Sequence, residues 1–169
     1  MLLTFSITSI AQDINPERII PDGKLKWSDY TGKVDQHSTY WSTTYWYVHY
    51  KYRVIQLQGD TVKVDLQSWP ALQERSWVLP SKRSAELLQH EQGHFDLARL
   101  LALEFKQEAG STVLLRNNYS RKLDSIFNAD LYDIKQMEIQ YDTETNHMWD
   151  RAAQERWNKK IADMIKAAE

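Results

Sequence analysis

The sequence predicts an α+β fold, an N-terminal antiparallel sheet packed on long C-terminal helices. Two observations carry this. Up to about residue 80 the chain is rich in β-branched and aromatic residues that alternate with polar ones. Beyond that point apolar residues recur at helical spacing in three long runs. Strands first and helices afterwards describe a sheet laid on a helical layer rather than alternating βα units.

The strand-rich part is expected over 24–80 and the helical part over 81–169, both inside a single domain spanning 12–169. In the first part, residues 41–57 (WSTTYWYVHYKYRVIQL) read as a long strand. Gln58-Gly59-Asp60 is a turn signal, and residues 61–66 alternate apolar and polar, which makes a hairpin. A short strand is expected at residues 76–79, ended by Pro80. Another strand and turn are expected at Leu25-Lys26-Trp27 and Asp29-Tyr30-Thr31-Gly32.

In the second part, Ser81 or Ser84 is placed to cap a helix, and Glu86 lies near its first turn. Leu87, Leu88, Phe95, Leu97, Ala98, Leu101, Leu103 and Phe105 continue that helix to Gly110. A second helix is expected from Ser111 to about Glu138, then a polar loop over 140–147. The last helix runs from about Trp149 to Ala168, with Ala153, Trp157, Ile161 and Ile165 on one stripe.

Composition excludes several functions. Formal net charge is −2 and basic residues are scattered, so no field attracts nucleic acid. Nothing approaches the ~20 consecutive apolar residues of a membrane-spanning helix. With no Cys, disulfides, thiolate metal sites and a cysteine nucleophile are ruled out. Any metal must be held by His, Asp or Glu, which suits zinc at a catalytic site. Residues 1–11 (MLLTFSITSIA) are apolar, and Ser9-Ile10-Ala11 resembles a small-x-small cleavage signal. They read as the remnant of a signal peptide, hence an exported protein, periplasmic or secreted.

The chemistry concentrates at His90-Glu91-Gln92-Gly93-His94. Four residues apart on a helix, His90 and His94 lie within roughly 40° of each other, one turn apart. Two such imidazoles can bind one zinc at about 2.0–2.1 Å each. Glu91 lies about 100° round from His90, beside the metal, where a general base for an attacking water is needed. Gly93 makes sense if another backbone packs closely on this helix. A third protein ligand is required. Asp96 points away from the metal and Glu104 lies ~15 Å along the axis. Asp124, Asp130, Asp133 or Glu138 from the second helix remain, as do Asp142, Glu144 and His147 from the following loop. His147 is favoured, with Glu144 and Asp142 behind it. His37 and His49 read as ordinary surface or half-buried residues.

The run from His90 to Asp96, with Ser76-Trp77 upstream, Tyr141-Asp142-x-x-Thr145-x-His147 downstream and the early Trp27-x-x-Tyr30-x-Gly32, resembles a bacterial, usually exported, family. That family is catalogued as domain of unknown function 922 and grouped with the zincin-like HExxH metallopeptidases. Its pattern usually has Gly after the last His, where this chain has Met148. The resemblance covers about residues 25–157 and implies a zincin-like fold and a zinc peptidase; it does not supply the substrate, which the peptidase reading expects to be a peptide or protein. It supports His147 as third ligand and suggests Tyr141 as an oxyanion stabiliser, a role weighed evenly against anchoring the loop by packing. A metal- or peptide-binding module of the cell envelope that turns over little is the alternative. In the peptidase reading, the strand at Ser76-Trp77-Val78 is a candidate to pair with an extended peptide.

Overall fold

The computed structural model describes residues 17–169; the expected signal-peptide remnant lies outside them. The chain forms β1 (Glu17–Arg18), a 3₁₀ turn at Trp27–Asp29, β2 (Ser42–Thr43), β3 (Trp46–Gln58), β4 (Thr61–Gln73) and β5 (Trp77–Val78). After a second 3₁₀ turn at Pro80–Lys82 come α1 (Ala85–Ser111), β6 (Leu114–Leu115), α2 (Tyr119–Thr145) and α3 (Arg151–Ala168). The α+β architecture expected from the sequence is present.

The β3–β4 hairpin is the spine of the sheet, antiparallel from Trp46↔Leu72 to Gln58↔Thr61, with a bulge between Val54 and Gln56. Gly59 supplies the left-handed turn residue, at φ +57°. The other edge of β4 is shared by two short strands. β1 pairs with Leu72 and Gln73 at one end, and β6 with Thr61 and Val62 at the other. Between them that edge is unpaired among the described residues, and Pro70, which lacks an N–H, lies there. Thus β4 runs well past the expected end at Leu66.

Three further expectations are corrected. Residues 25–27 form no strand; the chain turns in a 3₁₀ helix closed by Asp29 Oδ2 accepting the Lys26 N–H at 2.7 Å. The second helix starts later than Ser111, because β6 uses Leu114 and Leu115, and it continues through the expected loop to Thr145. The polarity of 140–145 is the solvent face of a helix: Gln140, Thr143 and Glu144 are exposed while Tyr141 and Thr145 are buried.

Helix α1 is the hub, packed on the sheet and on both other helices. Ser84 caps it by accepting the Leu87 N–H at 3.1 Å. Its buried residues, from Leu87 through Phe95 and Leu101 to Ala109, cover several faces, as for a helix enclosed on most sides. The expected break at Gly110 falls at the last turn. Asp150 caps α3 through the Ala153 N–H at 2.8 Å. Among the described residues no helix is long and apolar enough to cross a membrane.

Candidate metal centre

Helix α1 brings His90 and His94 onto one face, with ring centroids 5.0 Å apart. Each ring is fixed through Nδ1. His90 Nδ1 lies 3.0 Å from Gln154 Oε1 of α3, and His94 Nδ1 lies 3.3 Å from Glu138 Oε1 of α2. The Gln154 amide is oriented by its own donations, to the Tyr141 hydroxyl at 2.6 Å and to Asn158 at 2.8 Å. With oxygen acceptors facing both Nδ1 atoms, these nitrogens carry the protons, so that in each neutral ring Nε2 is left as the lone pair facing forward.

Both Nε2 atoms converge on one point. Asp142 Oδ1 lies 3.1 Å from His90 Nε2 and 3.1 Å from His94 Nε2, and His147 Nδ1 is 3.6 Å away. His90, Asp142 and His147 offer ligand atoms within 4.8 Å of one another, and His94 joins them through its contact with Asp142. Asp142 Oδ1 is buried without a hydrogen-bond partner. A carboxylate oxygen facing two lone pairs repels them unless a cation, a proton or a metal ion, stands between. The electrostatics express this demand. Burial pulls His94 down, yet its contacts with Asp142 and Glu138 hold it up at about 10. Burial likewise raises Asp142, but the two imidazoles hold it far below the usual carboxylate range. Two imidazoles, a carboxylate and a third imidazole make a donor set that zinc accepts.

Glu91 stands beside this cluster, 4% exposed. Ser42 donates to its Oε1 and Thr44 to its Oε2, both at 2.5 Å. Because the Thr44 proton is used on Glu91, the Tyr30 hydroxyl, 2.6 Å away, donates to Thr44. The early Trp27 and Tyr30 therefore serve the motif helix, while Gly32 packs on the turn after β4. Trp27 donates to the Ser84 carbonyl at its cap, Tyr30 backs Glu91, and Gly32 lies where a Cβ would meet the Arg75 carbonyl at 2.2 Å.

The site opens into a cleft of about 690 Å³, lined by His90, Glu91, His94, Asp142 and His147, by residues 39–44, and by Leu87, Lys135, Glu138, Ile139 and Trp149. Strand β5 does not line it. Both its residues are buried and it pairs with β2. The cleft-facing strand is β2. The Trp41 carbonyl accepts the Leu79 N–H at 2.7 Å, so by the alternation of an antiparallel ladder Ser42 directs its own N–H and C=O away from β5.

The other sequence candidates lie elsewhere. Tyr141 is fully buried and absent from the cleft wall. It stacks on His90 at 4.8 Å and donates its hydroxyl to the His90 carbonyl at 2.9 Å. Gly93 admits this side chain rather than a backbone. Glu144 accepts from Trp157 Nε1 at 2.7 Å and from Gln140, and ties α2 to α3. Asp124 binds the Tyr50 hydroxyl, while Asp130 and Asp133 face Glu104 and Glu108 beyond the motif. Asp96 pairs with Arg99 at 2.9 Å. His49 pairs with Glu17 and His37 is exposed. Sequence reasoning did not single out Gln154 or the hydroxyls of Ser42 and Thr44. Residues 146–148 all have positive φ, +47°, +50° and +82°, and the last is Met148, where the family pattern has Gly.

Fold and site together define an α+β protein with an imidazole–carboxylate cluster on a buried helix and a carboxylate poised beside it. The chain belongs to the family described as bacterial protein of unknown function (DUF922), whose model matches residues 24–148. No curated protein and no solved structure matches it.

Proposed function

We propose that the protein is a zincin-like, zinc-dependent endopeptidase in which His90, His94 and Asp142 hold the metal, His147 flanks it, and Glu91 is the general base. The observation that carries this reading is the buried Asp142 Oδ1 at 3.1 Å from both Nε2 atoms, an arrangement that calls for a cation. When bound there, zinc would supply a Lewis acid that polarises a scissile carbonyl and lowers the pKa of water to about 7. Gln154 and Glu138 orient the two imidazoles, and Tyr141 fixes the helix backbone behind His90. Glu91 takes a proton from the attacking water at one carboxylate oxygen, exchanging one hydroxyl hydrogen bond for it, and passes it to the leaving amine.

A second reading, a metal-binding module that does not turn over, draws on one fact. Both oxygens of Glu91 already accept short hydroxyl hydrogen bonds.

Metal analysis and one variant separate the two. The reconstituted protein is expected to hold about one zinc per chain. Glu91→Gln should keep that zinc and lose cleavage of a broad peptide library. Absence of zinc after reconstitution would sink both readings. Zinc without cleavage by the parent protein would favour the module.

A further inference from the structure

Next to the candidate metal cluster the cleft carries three large apolar side chains that are open to solvent: Tyr40 at 52%, Ile139 at 62% and Trp149 at 59% exposure. They form one wall with the chemistry. The Tyr40 ring lies 5.2 Å from that of His147, and Trp149 stands edge-on to Trp41 at 4.9 Å. Leaving such surface in water forgoes burial worth about 25 cal/mol per Å². A second property of the cleft concerns charge. Lys135 pairs with Glu138 at 2.7 Å and lies 3.7 Å over the Trp46 ring. Glu138 also accepts from Trp46, Glu91 is held by two hydroxyls, and Asp142 faces the imidazoles. Among the described residues each carboxylate and lysine lining the cleft already has a partner, and beside it Lys82 lies 4.1 Å over the Trp41 ring.

Resting on the peptidase reading, we infer that Tyr40, Ile139 and Trp149 form a specificity subsite for a large apolar or aromatic side chain next to the scissile bond of an extended peptide. The size of the cleft suits one occupant held mainly by apolar contact, within the ~300–1,000 Å³ common for ligand sites. Strand β2 lines the cleft beside that wall, with the backbone of Ser42 directed away from β5.

The experiment needs no known substrate. Binding of acetohydroxamate, N-acetyl-alanine hydroxamate, N-acetyl-aspartate hydroxamate and N-acetyl-phenylalanine hydroxamate is measured on the zinc-loaded protein by calorimetry. Acetohydroxamate reports the metal, and the phenylalanine-to-alanine ratio reports the wall. The phenylalanine compound should bind about 10- to 100-fold tighter than the alanine one, as expected for burying an aromatic side chain. Trp149→Ala should cut that ratio several-fold while leaving zinc content and acetohydroxamate affinity unchanged. Equal binding of the alanine and phenylalanine compounds, or preference for aspartate, would overturn the inference and leave the metal site standing. A ratio that survives in Trp149→Ala would also overturn it. Failure to bind both zinc and acetohydroxamate would remove the peptidase reading, and this inference with it.

Discussion

The phenol of Tyr141 occupies the space that a side chain at position 93 would need. A Cβ on Gly93 would lie 2.3 Å from the Tyr141 hydroxyl oxygen and 2.5 Å from its Cζ. The missing side chain lets α2 press its tyrosine into the motif helix between the two histidines. From there the hydroxyl reaches the His90 carbonyl and Gln154.

Gly93→Ala should therefore destabilise the protein although alanine is the better helix former. Helix propensity gains about 1 kcal/mol. Displacing a fully buried ring costs roughly 1–3 kcal/mol and leaves a hydroxyl and an amide searching for partners. The expected net loss is about 1–2 kcal/mol, a fall in Tm of several degrees by calorimetry. A Tm equal to or above the parent's would mean that the ring moves aside freely.

Gln154 is the acceptor that fixes which nitrogen of His90 faces the cleft. Gln154→Leu keeps the volume but removes that acceptor and the donor to Tyr141. Zinc affinity, read by competition with a chromophoric chelator, should fall by about 10- to 100-fold, as for other partners behind a metal-ligating histidine. Gln154→Glu retains an acceptor and should recover part of the loss. Equal behaviour of the two variants would show that the amide acts only by packing.

How far the sequence reaches depends on the range of the interactions. The β3–β4 hairpin is legible because alternation and the Gln58-Gly59-Asp60 turn are local. The His90–Glu91–His94 arrangement is legible because helical geometry alone places it. The partners of those histidines are not, since Gln154 and Glu138 come from 64 and 44 residues away; nothing local marks Gln154, and spacing does not choose Glu138 among the acidic residues of the second helix. The end of α2 is misread for another reason. Polar residues at 140–145 resemble a loop until Tyr141 and Thr145, four apart, are seen to face inward together. Strands β1 and β6, two residues each, exist only because β4 offers an edge.

With the helix extended to Thr145, the proposed metal site puts Asp142 ahead of His147 as third ligand. Asp142 comes from rigid α2 and touches both Nε2 atoms, whereas His147 lies in the left-handed connection with its side chain 46% exposed. Asp142→Ala should lower zinc affinity by on the order of a hundredfold or more, beyond what loss of a supporting partner causes. His147→Ala should lower it less. The opposite order in chelator competition would return the third ligand to His147.

Away from the imidazole–carboxylate cluster, Asp130 gives a stability prediction of definite sign. Burial, and then repulsion from Glu108, Glu104 and Asp133, raise its carboxyl from an ordinary 3.8 to about 7. Its Oδ2 is also buried without a hydrogen-bond partner. Between these values the folded protein keeps a proton that the unfolded chain has released. This group's contribution therefore declines as pH rises from about 4 and levels off above about 7. Asp130→Asn stays neutral throughout and removes one of the repelling charges. It should be more stable than the parent in urea unfolding at about pH 8, by an amount that shrinks as the pH is lowered towards 4. Because the imidazole–carboxylate cluster is shared by both proteins, its own titration cancels in the difference. A stability difference that does not change with pH would show that Asp130 is solvated well enough to ionise at its ordinary value.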